Sequence, residues 1–95
     1  MINVDLNSLP YQQTINYKML RYIRLCLNLT QTQFGRVCQI NQGVLAQLER
    51  GDIELSITYE TRILEGLKVL NFSELEMLSV KKLVDLQQEQ QQRGL

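Results

Sequence analysis

Gln31-Thr-Gln-Phe-Gly-Arg-Val-Cys-Gln-Ile-Asn-Gln-Gly-Val-Leu-Ala-Gln-Leu-Glu-Arg50 is the stretch that decides how this chain folds. It reads as two short helices crossing steeply through a tight turn. Thr30 is placed to cap the first, which carries Phe34, Val37 and Cys38. Asn41 is placed to cap the second, which runs to Arg50 with Leu45 and Leu48 turned inward. A close crossing needs a tiny residue where the helices meet, and Gly35 supplies it. Phe34, Cys38, Ile40, Leu45 and Leu48 brace the corner from both sides. Gly51 follows where a left-handed closing residue is wanted.

Upstream, Leu20, Ile23 and Leu27 fall on one face of a further helix, with Thr14 as its expected N-cap and Pro10 as an alternative start. Tyr22, Leu25 and Cys26 lie outside that stripe, so this helix has more apolar surface than one face can bury. Before it, Ile2, Val4 and Leu6 alternate with Asn3, Asp5 and Asn7, the period of a short strand, the alternative being a disordered arm. Downstream, residues 52–56 read as a loop. A fourth helix from about Ile57 carries Ile63, Leu64, Leu67 and Leu70. Ser73-Glu74-Leu75-Glu76 has the spacing of a capping box, which opens a fifth helix bearing Leu75, Leu78, Val80, Leu83, Val84 and Leu86. The glutamine-rich run Gln87–Gln92 either frays or extends it. The expected organisation is an all-α, five-helix chain: an arm over 1–13, a helical domain over 14–72, and a C-terminal helix with its tail over 73–95.

Composition narrows the function classes. Ninety-five residues make one domain with one modest core. No run approaches the ~20 apolar residues of a membrane helix, and the N-terminus lacks a basic segment leading into an apolar one. A cytosolic setting follows as an expectation, with Cys26 and Cys38 as reduced thiols. Two cysteines with no histidine make no recognisable zinc site and leave no imidazole base. Glu74 and Glu76, two apart on a helix, point different ways and form no acid–base dyad. There is no glycine-rich phosphate loop and no nucleophile beside a base. The expectation is a protein that is not an enzyme and takes no cofactor or metal. Net charge is zero, but it is divided. Residues 1–50 hold five cations to two acids, and residues 51–95 hold five cations to eight acids.

Leu20 to Arg24, Leu29-Thr30-Gln31, Phe34-Gly35, Ile40-Asn41 and Leu45-x-x-Leu48-Glu49-Arg50-Gly51 together resemble the Cro/repressor-type (XRE-like) helix-turn-helix DNA-binding family. The likeness extends loosely to Ser56 and Leu67 and covers about half the chain. It departs from the family at Gln39, where the turn usually holds glycine; a left-handed residue or a slightly altered turn is expected there. The resemblance implies a five-helix, lambda-repressor-like fold. It also implies a partly buried ion pair between Arg24 and Glu49, the alternative being two solvated charges.

By the same resemblance, the second helix of the motif would enter a major groove, with Asn41, Gln42, Gly43, Val44 and Gln47 facing the bases. Glutamine can bond adenine N6 and N7 together and small apolar side chains touch thymine methyls, so A·T-rich half-sites are expected. Gln31 matches a family position that bonds a phosphate, and Arg36, Arg50, Arg21 and Lys18 are the further phosphate candidates. Double-stranded DNA is the expected partner and transcriptional regulation, as a repressor, the expected role. A homodimer would form through the C-terminal helix or the N-terminal strand; alternatively, both only cap the monomer's core. The competing function on the same fold is a protein-interaction module: an antirepressor, an antitoxin or a modulator of another regulator.

Overall fold

Helix caps set where each element of this chain starts and stops. The computed structural model describes residues 14–93 and places five α-helices there: α1 (Tyr17–Cys26), α2 (Gln31–Cys38), α3 (Gln42–Arg50), α4 (Ile57–Val69) and α5 (Glu74–Arg93). The N-terminal arm or strand expected over 1–13 lies outside the described residues. Among the described residues there is no strand, and no helix is long and apolar enough to cross a membrane.

Each start is a side chain accepting from an otherwise unpaired backbone N–H. Thr30 accepts from Gln33 N at 3.1 Å while the Gln33 side chain accepts from Thr30 N at 3.0 Å, a complete capping box. Asn41 Oδ1 accepts from Gly43 N at 2.8 Å, and Ser56 Oγ accepts from Tyr59 N at 3.4 Å. Ser73 and Glu76 form the expected box at the head of α5.

The start of α1 differs from expectation. Its cap is Asn16, whose Oδ1 accepts from Lys18 N at 3.0 Å, and not Thr14. The reason is Glu60, buried on α4, whose Oε2 accepts from Thr14 N at 2.8 Å and Ile15 N at 3.1 Å. Those two N–H groups are taken by a distant carboxylate, so the helix begins after them.

The four ends preceding α5 share one closure. Leu29 N donates to Arg24 O, Ile40 N to Gly35 O, Asp52 N to Gln47 O and Phe72 N to Leu67 O, each bond spanning five residues. The residue before each donor is left-handed: Asn28 (φ 56°), Gln39 (φ 58°), Gly51 (φ 76°) and Asn71 (φ 56°). Asparagine and glycine tolerate this region well; glutamine does so less readily. Gln39→Gly is therefore expected to stabilise the protein by about 0.5–1 kcal/mol: relief of roughly 1–2 kcal/mol of left-handed strain is partly offset by glycine's added chain entropy. Urea unfolding measures it, and a destabilised variant would remove the strain account.

The core is one cluster drawn from every helix. Met19, Leu20 and Ile23 of α1 meet Phe34 and Cys38 of α2, Leu45 and Leu48 of α3, Ile63 and Leu67 of α4, and Val80 and Val84 of α5. Ile15, Ile40 and Leu55, from the connecting segments, complete it. Helix α1 packs on α3 and α5, while α2 packs on α3 and α4. Tyr22 is half-buried against the core, but Leu25 stays exposed, so the surplus apolar surface of α1 is only partly covered. Helix α5 continues through the glutamine run to Arg93. It buries Val80 and Val84, whereas Leu75, Leu78, Leu83 and Leu86 are exposed, so those four leucines do not cap the core.

Cys38 is enclosed and Cys26 exposed. Burial pushes the Cys38 thiol up to about 11 from 9.0, so near pH 8 it is protonated and shielded. A colourimetric disulfide reagent should label one thiol in the native protein and two in denaturant. The unfolded chain loses this proton first, so the Cys38 contribution to stability is intact below about pH 9 and disappears toward pH 11. Rapid native labelling of both thiols would contradict this enclosure.

Candidate nucleic-acid interface

Helices α2 and α3 are joined by only Gln39, Ile40 and Asn41. A Cβ added to Gly35 would lie 2.5 Å from the Ile40 carbonyl oxygen, so the turn sits on the bare face of α2. The same Ile40 is buried and donates its N–H to Gly35 O at 2.8 Å. The turn is thus tied to α2 by the N–H of Ile40, with the carbonyl of the same residue packed against the bare Cα of Gly35. A second close approach lies at Gly66 of α4, where an added Cβ would meet Cys38 Sγ at 2.7 Å. Between them, these two glycines let α2 nest against α4 on one side and the turn on the other.

This nesting leaves one side of α3 in solvent. Asn41, Gln42, Gly43 and Gln47 are exposed. Val44 and Ala46 are half-buried, more covered than an outward-facing position implies, because Val44 packs against the core cluster. Asn41 also caps the helix, so its carboxamide oxygen is engaged with Gly43 N. No hydrogen bond ties the Gln47 amide to another described residue.

Gln42 is held in place by a chain of polar contacts. Its Nε2 donates to Gln31 Oε1 at 2.8 Å. Gln31 Nε2 donates to Glu49 Oε1 at 3.2 Å. Glu49 receives Arg24 through two bonds, Nε to Oε2 at 2.9 Å and Nη2 to Oε1 at 3.1 Å. Arg24 Nη1 also donates to the Leu29 carbonyl at 3.1 Å, tying in the α1–α2 connection. The side chains of Arg24 and Glu49 are 13% and 5% exposed, so the pair is largely shielded from water. Glu49 stands in the last turn of α3, where the helix dipole disfavours a negative charge, and the guanidinium offsets that. The polar run therefore starts in the protected interior and ends at an exposed glutamine, one residue after the cap of α3.

The five phosphate candidates occupy different surroundings. Gln31 is half-buried and uses both ends of its amide in the chain just described, retaining one N–H for another acceptor. Arg36 is exposed on α2 with no ion pair to a described residue. Arg50 is exposed but paired with Asp52 at 2.7 Å. Lys18 and Arg21 are exposed on α1. They line a groove of about 440 Å³ between α1, the C-terminal half of α5 and Glu49 of α3, with Tyr17, Tyr22 and Gln87 among its walls. Lys18 Nζ lies 6.0 Å from the centre of the Tyr17 ring. The described cations thus form no single dense patch.

Sequence reasoning missed Glu60, which anchors the entry to α1. A signal for it exists, since Glu60 stands three before Ile63 and seven before Leu67, on the buried side of α4. A lone acid on an apolar face demands N–H partners, and the segment before α1 supplies them. Comparison with protein-family models, with curated proteins and with solved structures gives no match to this chain.

Proposed function

We infer that this chain is a sequence-specific DNA-binding transcriptional regulator, a repressor that uses α2 and α3 as a helix-turn-helix and binds its operator as a dimer. The observation that carries this reading is the anchored Gln42: an exposed amide at the start of α3, fixed through Gln31 to the shielded Arg24–Glu49 pair. Base readout needs a bidentate group held at a fixed angle, because a freely rotating glutamine loses conformational entropy on binding. Gln31 keeps one amide N–H for a phosphate oxygen, so one side chain would position the duplex and orient the base reader.

Gln42 and Gln47 read A·T pairs, while Gly43 leaves room for a close approach of the backbone. Phosphate contacts come from Gln31, Arg36 and Arg50, and from Lys18 and Arg21 where the duplex reaches the α1 side. Arg50 must release Asp52 to contribute. So few free cations imply a shallow salt dependence, well under about eight phosphates neutralised per monomer.

Binding-site selection from random duplexes tests the reading. Recovered sites should be A·T-rich half-sites with two-fold symmetry. Gln47→Ala should relax preference at one base pair by about 10- to 100-fold, the equivalent of ~1–3 kcal/mol. Failure to select any sequence at low salt would rule the function out. In that event a protein-interaction module on the same fold becomes the better reading, supported by zero net charge and the exposed leucines of α5.

A further inference from the structure

Helix α5 has two apolar sides, and the monomer uses only one. Val80 and Val84 are 1% and 3% exposed, and with half-buried Met77 they complete the side that faces the core. Leu75, Leu78, Leu83 and Leu86 stay 73%, 62%, 48% and 50% exposed. At 100° per residue, Leu75, Leu78 and Leu86 fall within about 80° of one another, opposite the Val80–Val84 line, and Leu83 borders them. A helix that is apolar on both sides is ordinarily covered on both.

The order of these residues indicates what covers the outer side. Outward from the central Ser79-Val80-Lys81-Lys82, the sequence reads alike in both directions: leucine, core-facing apolar residue, acid, leucine. Leu78-Met77-Glu76-Leu75 runs one way and Leu83-Val84-Asp85-Leu86 the other. A second copy of this helix laid antiparallel, midpoint on midpoint, sets Leu75 level with Leu86 of the other copy and Leu78 level with Leu83. Leu75 and Leu86, about 20° apart around the helix, then face each other twice, as a self-complementary two-fold contact requires, while Leu78 and Leu83 flank that contact on either side. Charge selects the same orientation. Lys82 lies within the stripe, and parallel pairing would bring two Lys82 side chains together, whereas antiparallel pairing sets each beside Ser79.

We propose that the outer face of α5 is a homodimer interface in which two copies of the chain pack α5 against α5 in antiparallel fashion. The exposed parts of the four leucines come to about 400 Å² per copy, the size of patch that marks an interaction surface on a small protein. Two such patches come to about 800 Å², to which Ser79 and the Lys82 stem within the stripe add, the size of a reversible rather than a permanent interface. The proposal rests on the dimer in the reading above but not on DNA binding.

Sedimentation of the full chain without DNA tests it. The expected species at micromolar concentration has twice the 11.1 kDa monomer mass. Leu78→Glu with Leu86→Glu should weaken the dimer at least ~10-fold while leaving helix content unchanged, since neither leucine is in the core, and its thermal midpoint should match that of the parent chain diluted to monomer. Orientation is read by disulfide trapping in a Cys26→Ser background. Leu75→Cys chains mixed with Leu86→Cys chains should cross-link, and neither variant should cross-link alone. A monomer at all concentrations overturns the proposal, as does a dimer unaffected by the two glutamates. Self-cross-linking of Leu75→Cys would show parallel packing and overturn the antiparallel arrangement.

Discussion

Glu49→Ala is expected to destabilise the protein by about 3–5 kcal/mol, because it leaves the Arg24 guanidinium shielded from water without its carboxylate. A domain of this size has ~5–15 kcal/mol of total stability, so the variant should unfold partly or wholly at growth temperature. Burial sets this magnitude, not the length of the bond. Arg50 and Asp52 pair at 2.7 Å, closer than the 2.9 Å of Arg24 and Glu49, yet their side chains are 61% and 52% exposed. Water and salt screen that pair, and Asp52→Ala should cost no more than ~1 kcal/mol. Urea unfolding of both variants makes the comparison. Equal losses would mean that Arg24 and Glu49 are solvated in solution.

The same substitution removes the acceptor of Gln31 and with it the support of Gln42. Loss of stability and loss of binding are therefore entangled in Glu49→Ala, and a gentler variant separates them. Gln31→Ala removes one half-buried amide and leaves the ion pair intact, so it should cost stability little. On the DNA-binding reading proposed above, base preference at the Gln42 position should nonetheless loosen, because Gln42 then loses the side chain it is bonded to. Full base preference in Gln31→Ala would show that the anchoring chain plays no part in readout.

Local chemistry made most of the helix limits legible in the sequence. Thr30, Asn41, Gly51 and the Ser73–Glu76 box act within three or four residues of themselves, so their roles can be read without a fold. Thr14 and Asn16 were different. Both are good caps by type, and the choice falls to Glu60, 46 residues from Thr14. Periodicity located Ile63, Leu67 and Leu45, but it could not separate Val80 from Leu78. Both are apolar residues of one amphipathic run, and only the packing of α5 on α1 shows which side is used. The Arg24–Glu49 pair, 25 residues apart, came from family resemblance and not from any pattern in spacing. The link from Gln31 to Gln42 depends on the crossing of two helices and was legible by neither route. What sequence does indicate is the condition for that crossing, a glycine at position 35.

Gly35→Ala should destabilise the protein by about 2–3 kcal/mol, although alanine is the better helix former by ~1 kcal/mol. Two effects oppose each other here, and distance decides between them. The new Cβ would sit 2.5 Å from the Ile40 carbonyl oxygen, nearly an ångström inside ordinary contact. That oxygen belongs to the backbone of a buried residue whose N–H is bonded to Gly35 itself, so it cannot turn away as a flexible side chain would. The turn must open instead, and the start of α3 moves with it, displacing Gln42 from Gln31. Gly43→Ala is the control, because the atom near its added Cβ is Asn41 Oδ1 at 3.2 Å, the cap of α3, which needs to give by only a few tenths of an ångström and can keep its bond to the residue 43 N–H. There the helix-propensity gain should prevail or break even. Thermal and urea unfolding of the two variants should give shifts of opposite sign, or at least a loss confined to position 35. If Gly35→Ala is as stable as the parent chain, α2 and the turn do not lie this close in solution. The outward presentation of α3 would then need another cause.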